Sequence, residues 1–158
     1  MFVWFVATSV LAVAIVFRSV AVDYRTVALG SLLPWMDAPF GGPRVGHSLL
    51  GAVVVLGGVM AATKRRRILR RRPLGIPIGM FFHLLLDGTF TATDAFWWPI
   101  GGFAFAEGQV PELRHIGPFL LLEVLGVGVA WFAWRAFGLD RHEARQRLLE
   151  QGRLDFVG

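Results

Sequence analysis

The sequence predicts an all-α, polytopic membrane bundle of about five transmembrane segments, N-terminus outside and C-terminus inside. Three observations carry that expectation: an apolar composition, a succession of long apolar runs, and basic residues gathered on one side of those runs. Of the 158 residues, 55% are hydrophobic, with a mean hydropathy of +0.58. A soluble domain has an apolar share nearer roughly 45–50%. If the runs alternate in direction, fourteen of the sixteen Lys and Arg residues fall on one side, leaving only Arg44 and Arg114 on the other. Seven of them lie in loop 64–72. This is the positive-inside pattern of a cytoplasmic (inner) membrane protein. It brings loop 64–72 against anionic lipid head groups. A net charge of +5 would suggest nucleic acid for a soluble chain, but here the charge is accounted for by topology, and no nucleic-acid partner is expected. Cysteine is absent, which excludes a disulfide framework and a thiolate metal site.

The elements follow in order. Residues 2–17 form the first helix, running inward and stopping at Arg18. No basic stretch precedes it, so it does not resemble a cleaved signal peptide. Asp23, Tyr24 and Arg25 make a turn. Residues 26–36 form a second, short helix of about 17 Å, half a bilayer, with Asp37 at its tip. Gly and Pro mark residues 40–46 as a loop. Residues 47–63 are the third helix, with His47 in its first turn. Residues 73–87 are the fourth, again short. Residues 88–117 form a long outer connection. In it Thr89, Thr91, Thr93 and Asp94 are polar, and Phe96-Trp97-Trp98-Pro99 has the composition of an interfacial belt or of a lid. Glu107, Glu112, Arg114 and His115 are expected in solvent. Residues 118–139 are the last full span, with Glu123 in its outer third. The bundle ends near residue 139. Residues 140–158 form a cytoplasmic amphipathic tail, its helix capped by Asp140.

The organising stretch is Gly75-Ile-Pro-Ile-Gly79-Met-Phe-Phe-His83-Leu-Leu-Leu-Asp87. His83 and Asp87 lie one helical turn apart on one face. Gly75 and Gly79 make a small-residue stripe that lets a neighbouring helix approach. The alternating topology gathers Asp37, His47, His83, Asp87 and Asp94 at the outer face, with Glu123 within reach. Imidazoles with carboxylates suit Zn, with Mn or Fe as alternatives, and a site with an open position supports hydrolysis. The same residues also allow a non-catalytic protein whose buried His and Asp side chains form a structural network or a proton or ion relay.

Leu33-Pro34-x-x-Asp37, Gly46-His47-Ser48-Leu49-Leu50, Gly79-x-x-x-His83-Leu84-Leu85-Leu86-Asp87 and Trp98-Pro99 together resemble the YdjM-like bacterial membrane-bound metal-dependent hydrolases. The resemblance covers roughly residues 25 to 105. It departs from the usual pattern before His47, where Gly42, Pro43 and Gly46 stand at positions usually occupied by His, Arg and Thr. It implies an inner-membrane hydrolase acting on a phosphoester or lipid-like substrate, with Asp37, His47, His83 and Asp87 as metal ligands. Asp94 and Glu123 are candidates, from placement alone, for general base or further ligand.

Overall fold

Apolar runs without β-branched alternation give helices, and among the described residues every regular element is helical. The computed structural model describes residues 1–19, 21–40, 44–65, 70–91, 93–100, 102 and 116–156. The helices are α1 (Phe2–Phe17), α2 (Tyr24–Gly30), α3 (Leu49–Ala62), α4 (Gly75–Leu86), α5 (Thr93–Phe96), α6 (Ile116–Ala136) and α7 (His142–Gln146). Three 3₁₀ segments, Leu33–Phe40, Val45–His47 and Thr89–Thr91, punctuate them.

One stretch, Gly117–Ala136, is long and apolar enough to cross a membrane. The other apolar helices, α1, α3 and α4, have 16, 14 and 12 residues. At 1.5 Å per residue they reach about 24, 21 and 18 Å, against a hydrocarbon core of about 30 Å. Among the described residues there is therefore one helix of spanning length where about five segments, two of them short, were expected. Residues 66–69 of the basic loop and residues 92, 101 and 103–115 of the outer connection, including Glu107, Glu112, Arg114 and His115, lie outside the described residues.

Three boundaries differ from expectation, each for a local reason. The second helix ends at Gly30 and continues as the 3₁₀ segment Leu33–Phe40. Pro34 has no N–H and its ring crowds the carbonyl four residues back, so the α ladder stops before it. His47 is not in the first turn of α3. Ser48 is the N-cap, its Oγ accepting from Gly51 N–H at 2.9 Å, and this leaves His47 in the preceding 3₁₀ turn. Asp140 does not cap the tail helix, whose N-cap is Arg141 with no side-chain bond.

The directions of the helices position the site. Val13 and Ala14 of α1 share a buried cluster with Ala133 and Phe137 of α6. Glu123 of α6 sits at the start of α1, accepting from Val3 N–H at 3.2 Å and Trp4 N–H at 3.5 Å. These two helices therefore run the same way. Helices α2 and α4 run back together in close contact. A methyl group at Gly79 would collide with the Val27 carbonyl oxygen and would lie 2.7 Å from Ser31 N. The glycine stripe thus meets α2, as its spacing predicts. A second cluster of Ala52, Met80, Leu84 and Phe96 joins α3, α4 and α5.

The chain after α7 folds back as a strap. Tyr24 N–H donates to the Gly152 carbonyl at 2.8 Å, Arg25 Nη1 donates to the Leu149 carbonyl at 2.5 Å, and Leu154 is buried in the first cluster. The strap closes the end of the bundle where α1 finishes and α2 begins. The His and Asp side chains lie at the other end.

Candidate metal centre

His83 is on the last turns of α4, and His47 is held just before α3 by the Ser48 cap. Both imidazoles are fully buried. His83 Nδ1 lies 2.6 Å from the carbonyl oxygen of Ser31. A carbonyl can only accept, so Nδ1 carries the hydrogen. Phe5 of α1 stacks on the His83 ring with centroids 3.9 Å apart. This fixes the plane of the ring and shields it from water.

His47 is oriented in the same manner by a different acceptor. Its Nδ1 is 3.0 Å from Asp37 Oδ2, an oxygen that also accepts from His47 N–H at 3.0 Å and Arg44 N–H at 2.8 Å. Burial pushes the Asp37 carboxyl up. The His47 imidazole and the two N–H donors outweigh that and hold it below the usual carboxylate range. As an ionised acceptor Asp37 sets the His47 ring with Nε2 buried on the far side.

Asp87 is the C-cap of α4. Gly88, at φ +71°, turns the chain so that Thr89 comes back over it. Thr89 is 1% exposed, and its hydroxyl donates to Asp87 Oδ2. The ligand atoms of His47, His83 and Asp87 all lie within 4.8 Å of one another. Two imidazoles, each with Nδ1 within hydrogen-bond distance of a carboxylate or a carbonyl, have the outer-shell pattern of metal-ligating histidines. The group could hold one metal ion.

Comparison with protein-family models, with curated proteins and with solved structures finds no match to this chain. The arrangement of side chains is therefore the ground for a functional reading.

Of the six sequence candidates, the structure brings three together as mutual neighbours, His47, His83 and Asp87. It puts Asp37 behind His47 as the partner of Nδ1. Asp94 is exposed in the first turn of α5, outside the three-residue group. Glu123 is engaged with the start of α1. Trp97 is 44% exposed beside the buried Phe96, the two rings edge to face at 5.0 Å. Three contributors were not singled out in the sequence. The Asp87-Gly88-Thr89 turn was a readable signal for Thr89. Ser31 acts through its backbone and Phe5 through shape, and neither leaves a motif.

Proposed function

We propose that this chain is a multi-pass protein of the cytoplasmic membrane that hydrolyses a phosphoester or lipid-like substrate at its outer-facing end, using a divalent cation held by His47, His83 and Asp87. The observation that carries this reading is the pair of buried imidazoles, each held at Nδ1, with ligand atoms within 4.8 Å of each other and of the Asp87 carboxylate. A buried polar cluster of that kind is costly unless each member is satisfied. The donor set, two imidazoles and one carboxylate, suits Zn best among common ions. A bound ion supplies Lewis acidity and lowers the pKa of water at neutral pH.

The protein's own groups divide the remaining work. Asp37 holds the His47 ring, the Ser31 carbonyl holds His83, and Thr89 holds Asp87. Asp94 is the carboxylate suited to act as general base, being exposed on the helix whose Phe96 packs beside Leu84. Glu123 serves the start of α1. The motif resemblance to YdjM-like hydrolases supports the reaction class.

Membrane residence is supported by exposed apolar surface. Val124, Leu121, Trp131 and Val127 of α6 are 70%, 61%, 66% and 56% exposed, a row of large apolar side chains of the kind that soluble monomers rarely expose. It is also supported by direction, since α1 and α6 run together and opposite to α2 and α4, as alternating crossings require. Loop 64–72 then meets anionic head groups on the inner side.

Two experiments test the proposal. The chain has no cysteine, so single cysteines introduced at Thr91 and Arg71 report sidedness by membrane-impermeant labelling. Labelling of Thr91→Cys from outside and of Arg71→Cys only after permeabilisation is expected, and the reverse overturns the topology. Hydrolysis of a chromogenic phosphodiester or of phospholipid vesicles by the Zn-loaded protein, lost in His83→Ala, is expected. A folded, metal-free and inactive wild type would instead favour the structural network.

A further inference from the structure

At the end of the bundle away from the His/Asp group, a cavity of about 560 Å³ opens between the last turn of α1, the start of α2 and the strap. Its size is that of an ordinary small-ligand pocket. Arg18, Ser19, Tyr24 and Asp155 give it a polar side, and Ile15 and Phe156 an apolar one. The walls are tied down. Tyr24 is 2% exposed, and its hydroxyl donates to the Ser19 carbonyl at 3.3 Å. Tyr24 N–H holds Gly152 of the strap, and the Phe156 ring lies 4.8 Å from Phe137.

Arg18 and Asp155 face this one cavity with opposite charges, and among the described residues neither forms an ion pair. Two opposite charges that share a cavity without closing on each other are complementary to a ligand carrying both signs. We propose that the cavity binds the head group of a zwitterionic phospholipid, its phosphodiester on Arg18 and its primary ammonium on Asp155. A lipid rather than a soluble zwitterion is indicated by the surface beside it. Ile15 and Phe156, 50% and 46% exposed, give the same cavity an apolar wall open to the surroundings of the bundle, a place for the start of the acyl chains. A guanidinium at this position meets a phosphodiester with paired donors. The proposal rests on the membrane residence argued above and is independent of the metal centre.

The test is native mass spectrometry of the full chain in mild detergent, with added phosphatidylethanolamine, phosphatidylglycerol or free phosphoethanolamine, alongside flotation with vesicles. The wild type is expected to float and to retain phosphatidylethanolamine about tenfold better than phosphatidylglycerol, as one lost charge-assisted bond would give. Asp155→Asn should abolish that preference and Arg18→Gln should weaken retention of both lipids, each keeping the thermal transition of the wild type, since both side chains are exposed. Equal retention of the two lipids by the wild type, an unchanged preference in Asp155→Asn, undiminished retention in Arg18→Gln, or free phosphoethanolamine binding as tightly as the lipid would overturn the proposal. Failure to float would remove the membrane reading as well, whereas flotation with unselective retention removes only this site.

Discussion

Ser31 and His83 are joined by a 2.6 Å contact between a backbone carbonyl of one helix end and the ring Nδ1 of another. A backbone acceptor cannot be replaced by mutation, but its position depends on how closely α2 and α4 approach. Gly79 sets that approach. Its α-carbon faces the Val27 carbonyl and Ser31 N with no room for a methyl group. Gly79→Ala should separate the two helices, cost about 1–3 kcal/mol through overpacking, and weaken metal binding at a site one turn away. Denaturation of the detergent-solubilised protein and metal titration check both effects. A variant as stable as the wild type with unchanged affinity would show that the close approach does not matter.

Asp37 gathers three N–H groups on one oxygen and places one imidazole. In Asp37→Ala the His47 ring loses its anchor while the three donor atoms of the centre remain. Metal affinity should fall about 10–100-fold, the usual cost of losing an outer-shell partner, without abolishing binding. Isothermal titration with Zn checks this. Complete loss would make Asp37 a direct ligand, as its motif resemblance implies.

Thr89 offers a cleaner substitution, because valine has nearly its shape but no hydroxyl. Thr89→Val should weaken metal binding by leaving Asp87 free to rotate, and Thr89→Ser should restore much of it. Parallel Zn titrations of the two variants decide the point. Equal affinities in both would remove the hydroxyl from the account.

At the other end, acidification should loosen the strap. Burial pushes the Asp23 carboxyl up, but the Arg25 guanidinium, at 2.7 Å from Oδ2, and the N–H groups of Arg25 and Thr26 outweigh that and hold it below its ordinary value of 3.8. A carboxyl with a depressed folded pKa adds stability above its unfolded pKa. That stability is lost as pH falls through the folded value. The contribution should be full at neutral pH and vanish in the acid range below 3.8. Asp23→Asn should lower stability at pH 7 and flatten the acid dependence. Limited proteolysis of the strap across pH reads it directly, and an unchanged profile in the variant would refute the linkage.

Helical class, the glycine stripe and the pairing of His83 with Asp87 at one end of the bundle were legible in the sequence. They follow from spacing along one helix and from alternation of direction, both of which are local or topological. Helix ends at Pro34 and Ser48 were misjudged because apolar runs continue through residues whose backbone chemistry stops the ladder. Glu123 looked available because nothing in the sequence shows that the first N–H groups of α1 lie beside it. Ser31 was invisible for a deeper reason, since a main-chain oxygen carries no residue signature.

The central claim is a cation held by His47, His83 and Asp87. Elemental analysis of the protein purified without chelator, wild type beside His83→Ala, tests it most directly. Stoichiometric Zn, or Mn or Fe in its place, in the wild type and its loss in a folded His83→Ala variant is the expected result. A folded wild type without metal after reconstitution, or a variant that keeps its full metal content, would contradict it.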